Sequence, residues 1–167
     1  KGNDVPFYST IPEGTKAISL NYTIFLEKKV GEEHAIYFHG DLRKYVRMDT
    51  RDLTTIERFD ERDILEILEE EVIPNINLEP VEGQDQKHVI PALVPPLRLK
   101  PILSRSYIEL WHRADYWIGH ADKIVLVGYS LSTSDEHFND ILRAHRGKKF
   151  DIVGPGVLSV AFQKRCE

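Results

Sequence analysis

The stretch from Lys123 to Asp135, KIVLVGYSLSTSD, constrains the fold most. Ile124 to Val127 is an unbroken apolar, mostly β-branched run, the pattern of a strand buried on both faces. It stops at Gly128, passes through the hydroxyl-rich Tyr129 to Ser134, and a helical pattern begins at Asp135. Strand, glycine turn, polar loop and helix in that order are one half of a parallel α/β unit. In open α/β sheets, ligands collect at the carboxyl ends of strands, where such loops lie. A glycine there admits a ligand to the backbone, and hydroxyls with helix-start amides suit ribose or phosphate oxygens.

The rest of the chain repeats the alternation. Strands are expected at 17–20, 35–38, 89–94, 124–127 and 150–153. Pro91 inside the third of these predicts an edge position or an extended segment. A short helix is expected over Thr23 to Val30, closed by Gly31, and an acidic helix over Asp60 to Val72, ended by Pro74. Its run Glu69-Glu70-Glu71 reads as a solvated face rather than a metal site. Ser104 is placed to cap a helix reaching His120, with Tyr107, Leu110, Trp111, Ala114, Trp117 and Ile118 as a core-facing stripe. A further helix runs from Asp135 to His145, with Phe138, Ile141, Leu142 and His145 on one face. Asp41 to Thr55 shows no period and reads as loop; together with the residues up to His88 it forms an expected helical or loop insertion over 41–88. Arg43, Lys44 and Arg47 within it read as a solvated basic cluster, with phosphate contact as the alternative.

These alternations predict an α/β domain with a mainly parallel sheet. At 167 residues there is room for one domain, and a 41% hydrophobic fraction suffices for a core. The formal charge of −5 gives no indication of a nucleic-acid surface. No apolar run reaches membrane-spanning length. Cys166 is the only cysteine, so no disulfide closes within the chain, and a reducing, cytoplasmic setting fits. No histidine, cysteine or carboxylate grouping has persuasive metal-ligand spacing, so no metal is expected.

Three strand ends carry the candidate chemistry: Asn21 after the first, His39-Gly40 after the second, and Gly128 to Asp135 after the fourth. If the strands are parallel, all three lie on one edge of the sheet. An imidazole near neutrality can accept a proton from a sugar hydroxyl or hold it by a hydrogen bond, and an amide can bind an amide or orient water without titrating.

Ser19-Leu20-Asn21-Tyr22-Thr23 with Leu26-Glu27, Phe38-His39-Gly40-Asp41, Val94-Pro95-Pro96 and Lys100, Leu110-Trp111, Ala121-Asp122, and Val127-Gly128-Tyr129-Ser130-Leu131 with Asp135 stand in that order. Over most of residues 15–155 this resembles sirtuin-like domains, and most of all the prokaryotic branch found in anti-phage defence and abortive-infection proteins. The resemblance implies a Rossmann-like three-layer fold that binds NAD. It implies a single domain over 1–167, the C-terminal portion of a sirtuin-like unit whose first strand and glycine-rich NAD loop precede Lys1. By it, Asn21 sits near the nicotinamide amide and the attacking water, and His39 meets the ribose hydroxyls as base or orienting group. Ser19, Thr23, Gly40, Gly128, Ser130, Leu131 and Asp135 are the implied cofactor-binding positions. The implied reaction is hydrolysis of NAD to nicotinamide and ADP-ribose, with other domains of a longer chain and further copies of itself as partners. The alternative is a catalytically silent nucleotide-binding or assembly domain. The chain departs from the family pattern at Thr23, where many members have aspartate, and at Gly154-Pro155, where many have a cofactor-recognising asparagine. It has no paired-cysteine zinc module.

Overall fold

The computed structural model describes residues 10–47, 50–55, 89–95, 102 and 104–154. The elements are β1 (Ala17–Ser19), α1 (Glu27–Val30), β2 (Ala35–Tyr37), β3 (Lys44–Arg47), β4 (Leu53–Thr55), β5 (Val89–Pro91), α2 (Arg105–His120), β6 (Ile124–Val127), α3 (Glu136–Ala144) and β7 (Phe150–Val153). The chain divides into two compact units, 1–94 with 102–111, and 95–101 with 112–167. The expected acidic helix at 60–72 and the turn-rich segment after it lie outside the described residues.

In the first unit, β1 and β2 pair in parallel, with Ala17 opposite Ala35 and Ser19 opposite Tyr37. Between them the chain crosses over through α1, which is shorter than expected: Ile24 to Leu26 form turns and only Glu27 to Val30 are α-helical. β2 is wholly buried, and Ile36 and Phe38 are 1% and 0% exposed. Phe38 follows directly after the strand, and burying two such side chains stabilises by about 1.5–3 kcal/mol each. Ile24, Ala35 and Tyr37 form one small core, with Val30 against it.

Residues 41–55, expected as loop, instead contain an antiparallel hairpin. Lys44 pairs with Thr55 and Val46 with Leu53, while β5 pairs antiparallel along the other side of β3, with Tyr45 opposite Pro91. β5 is therefore an edge, as its proline requires. Past Pro91 the extended chain continues the pairing: Ala92 N–H donates to Lys44 O at 2.8 Å, and Val94 N–H to His39 O at 2.8 Å. Val46, Ala92, Val94 and Tyr107 close a second core, with Leu53, Ile90 and Trp111 packed on it.

The boundaries of β6, β7 and α2 match expectation. Ser104 caps α2, its Oγ accepting from Ser106 N–H at 3.2 Å. The aromatic stripe is core: Tyr107, Ala114 and Ile118 are buried, and Trp111 stacks on Phe38 at 5.7 Å while its indole N–H donates to Phe38 O at 2.9 Å. In the second unit β6 and β7 pair in parallel, Ile124 opposite Phe150 and Val127 opposite Val153. β6 is not buried on both faces. Val125 and Val127 are 48% and 44% exposed, and its alternate residues Ile124 and Leu126 are half-buried, so one face carries the packing.

Candidate functional site

The parallel pairing of β1 with β2 sets two of the candidate residues side by side. Ser19 and Tyr37 are register partners, so Asn21 and His39 each lie two residues beyond the same rung, at the same end of the pair. The loops after them are tied together. Leu42 N–H donates to Tyr22 O at 3.2 Å, Phe38 N–H donates to Ser19 O at 2.8 Å, and the Tyr22 hydroxyl donates to Val94 O at 2.9 Å. Tyr22 thus holds both strand ends, while its neighbours Asn21 and Thr23 are exposed. The Ser19 hydroxyl serves this turn: Oγ accepts from Asn21 N–H at 3.1 Å and lies 3.3 Å from Asn21 O as donor.

His39 differs from Asn21 in being 3% exposed. Its ring meets Phe38 edge-on at 5.4 Å, and its carbonyl accepts from Val94. Gly40 follows with φ +87°, a conformation that side chains other than glycine's rarely adopt. A Cβ here would collide with the Ala92 carbonyl and sit 2.7 Å from Tyr107 Oη. The Tyr107 hydroxyl donates to that same carbonyl. Close packing therefore accounts for Gly40 without a ligand.

Asp41 is fully buried, and it is not alone. Its Oδ1 accepts from Arg43 N–H at 3.0 Å and from Arg43 Nε at 3.2 Å, and Lys44 Nζ lies 3.6 Å from Oδ2. Arg43 also holds Glu27 with both ends of its guanidinium, at 2.7 and 2.6 Å. Arg43 is no solvated loop cation: its side chain and that of Glu27 are each 15% exposed. Burial opposes the guanidinium charge, but the hydrogen bonds it donates to Glu27 and Asp41, with their negative charge, outweigh it and raise the Arg43 pKa. Glu27 N–H donates to the Tyr37 hydroxyl at 3.1 Å; burial pushes that phenol up to about 12.

In the second unit, Gly128 has φ +65°, and its N–H donates to Val153 O at 2.8 Å. No described atom lies within 4 Å of where a Cβ would stand, so the backbone is open to approach. The loop after it is fixed from α3. Asn139, 6% exposed, accepts from the Tyr129 hydroxyl at 2.6 Å and donates to Ser132 O at 2.9 Å. Ser132 Oγ accepts from Ser134 N–H, and Asp135 N–H donates to Ser132 O. Within this frame Leu131 is held at φ +53°, a left-handed conformation costing about 1–2 kcal/mol for a residue with a Cβ. Ser130 is exposed beside it, and Asp135 is half-buried where the loop enters α3.

Sequence reasoning missed Asn139 and the Glu27–Arg43 pair. Asn139 had a signal, since a helix-interior asparagine next to the apolar Phe138 is unfavourable without a buried partner. Glu27 and Arg43 had none, being far apart in the chain and ordinary in type. Among the described residues, no cluster of histidine, cysteine and carboxylates could hold a metal ion, and no helix is long and apolar enough to cross a membrane.

No protein-family model matches the sequence, and no curated protein matches it. Solved structures do. One described as showing the mechanism and regulation of Sir2 enzymes is 17% identical, with a TM-score of 0.51, over 82% of this chain and 48% of that one. A structure addressing sirtuin substrate affinity is 18% identical, TM-score 0.51, over 82% and 51%. A Sir2 homologue with a histidine-to-asparagine substitution, in complex with ADP-ribose, is 16% identical, TM-score 0.51, over 89% and 56%. The fold is therefore a sirtuin-like, Rossmann-type α/β fold, and the chain spans about half the length of the structures it matches.

Proposed function

We propose that this chain is an NAD-binding sirtuin-like domain that hydrolyses NAD to nicotinamide and ADP-ribose, as the effector part of a cytoplasmic anti-phage defence protein that works with other domains and further copies of itself. The observation that carries this reading is the β1–β2 pair, which brings Asn21 and His39 to one end of adjacent parallel strands with their loops hydrogen-bonded to each other. An amide and an imidazole so placed can do the work this reaction needs. The bond between the nicotinamide nitrogen and the ribose carbon breaks, nicotinamide keeps the electron pair, and water forms the new bond and releases a proton. Asn21 orients that water and the nicotinamide amide; His39 holds a ribose hydroxyl or takes the proton. On this reading Ser19, Thr23 and Gly40 frame the nicotinamide end. By the resemblance Gly128, Ser130, Leu131 and Asp135 contact the adenosine end; what supports this within their own unit is the open backbone at Gly128 and the loop held by Asn139.

A second reading, a silent domain that binds a nucleotide without cleaving it, draws support from the burial of His39, since a proton acceptor must reach its substrate. The deciding experiment measures nicotinamide release from NAD by the longest native form of the protein. The hydrolase reading expects release, reduced at least a hundredfold in His39→Ala and in Asn21→Ala with the fold retained. Undiminished release in either variant removes that residue from the chemistry. NAD binding without release, in the intact protein, favours the silent domain.

A further inference from the structure

The candidate residues Asn21 and His39 are carried by separate loops, and backbone bonds at Tyr22 alone do not account for how those loops are fixed. Asn21 lies at the start of the segment that leads into α1, and Glu27 is the first residue of that helix. His39 lies at the start of the turn that leads into β3, and Arg43 is the last residue before that strand. The fork from Arg43 to both Glu27 oxygens joins the far ends of these two segments. Leu42 N–H to Tyr22 O ties the start of the first segment to the later part of the second. Asp41, fully buried two residues past His39, then takes the guanidinium donor at Nε. Two carboxylates and two cations, Glu27, Asp41, Arg43 and Lys44, balance within the cluster, so nothing in its charge asks for an external ion. A bidentate guanidinium–carboxylate pair fixes both distance and plane, which a lysine in the same place cannot do.

We propose that the Glu27–Arg43 pair is a positioning clamp that sets the relative placement of the Asn21 loop and the His39 turn. The proposal rests on the reading of those two residues as the reactive ones. It predicts effects on turnover rather than on substrate affinity, because neither Glu27 nor Arg43 is among the residues read as contacting the nucleotide.

The test compares Arg43→Lys and Glu27→Gln with the parent protein in its longest native form. Both substitutions leave much of the side-chain volume in place. Circular dichroism and thermal unfolding confirm the folded fraction at the assay temperature. The clamp predicts that kcat for nicotinamide release falls tenfold or more in each variant while KM changes less than twofold. Rates that stay within twofold of the parent overturn it. A second readout does not depend on turnover: the His39 Cε1–Hε1 resonance, assigned by its loss in His39→Gln, is recorded by NMR. Both variants should displace it, together with the Leu42 amide. If the parent protein releases no nicotinamide, the hydrolase reading fails, yet the resonances still decide the clamp. Unmoved His39 and Leu42 signals in both folded variants overturn it.

Discussion

Replacing Gly40 by alanine puts a methyl group where a backbone carbonyl already stands. Gly40 is at φ +87°, and a left-handed backbone costs a residue with a Cβ about 1–2 kcal/mol. The new methyl also collides with the Ala92 carbonyl and stands 2.7 Å from Tyr107 Oη. No rotamer relieves the first overlap, because the obstructing atom is main chain; overpacking of this kind costs about 1–3 kcal/mol. If the strand continuation at Ala92 shifts to make room, the bonds from Tyr107 to Ala92 O and from Val94 to His39 O are strained together, at about 1 kcal/mol net each. The expected loss is about 4 kcal/mol, a large part of a typical domain stability of about 5–15 kcal/mol. It should be read by urea unfolding of the first unit through Trp111 fluorescence, in a Trp117→Phe background that removes the other indole. With a slope of about 2 kcal/mol per molar urea, the midpoint should fall by about 2 M. Gly128→Ala is the control, and because it lies in the second unit it is read through Trp117 in a Trp111→Phe background. It has the same kind of backbone at φ +65° but no described neighbour within 4 Å, so only the backbone cost of about 1 kcal/mol applies. Equal midpoint shifts for the two variants, or a Gly40→Ala shift below about 0.5 M with an unchanged slope, would refute the packing explanation of Gly40.

Asn139→Ala should cost about 2–3 kcal/mol by stranding the Tyr129 hydroxyl and the Ser132 carbonyl together, measurable as a lowered unfolding midpoint of the second unit through Trp117 in a Trp111→Phe background, where Asn139→Ser is expected to recover little. Stability should fall as pH rises above about 10. Tyr37 is raised to about 12, and Tyr107 and Tyr129 are raised as well, chiefly by burial. The folded state therefore holds its phenolic protons where the unfolded chain releases them, and the advantage present below about pH 10 is lost through the folded pKa values. Urea midpoints that rise or stay level from pH 9 to 11, with phenolate absorbance appearing before unfolding, would contradict this.

The sequence showed most where the signal was local. Ile124 to Val127 announced itself as an apolar run, Phe150 to Val153 as a short, largely apolar segment after Gly147, and Ser104 with the stripe of Tyr107, Ala114 and Ile118 announced α2. The β3 hairpin did not. Tyr45 and Val46 are buried side by side between charged Lys44 and Arg47, so neither period-two alternation nor an apolar run is visible. What makes β3 a strand is pairing with Val89 to Pro91, far along the chain. The same holds at the site. The ordered motifs singled out Asn21 and His39 as candidates, and the parallel pairing expected of their strands is the one that sets them at the same end. They could not show that His39 is buried, that Gly40 is dictated by Ala92, or that Arg43 belongs to Glu27 rather than to solvent. Each of those facts depends on a partner supplied by another element.

The order in which the chain closes its loops has a bearing on the turn that carries His39. β1 meets β2 across one short crossover, from Ala17 to Ala35, and β3 meets β4 across a tighter one. β5 reaches β3 only after a much longer excursion, from Tyr45 to Pro91, and long closures are the slower ones to find. Until β5 arrives, Val94 cannot bond His39 O, and Ala92 cannot present its carbonyl to Tyr107. Synthesis from the amino end imposes the same sequence, since β1, β2 and the Glu27–Arg43 fork are all made before β5 leaves the ribosome. The turn bearing His39 is thus begun early by its neighbours and completed late by a distant strand, so a half-made chain holds this turn without its last backbone partners.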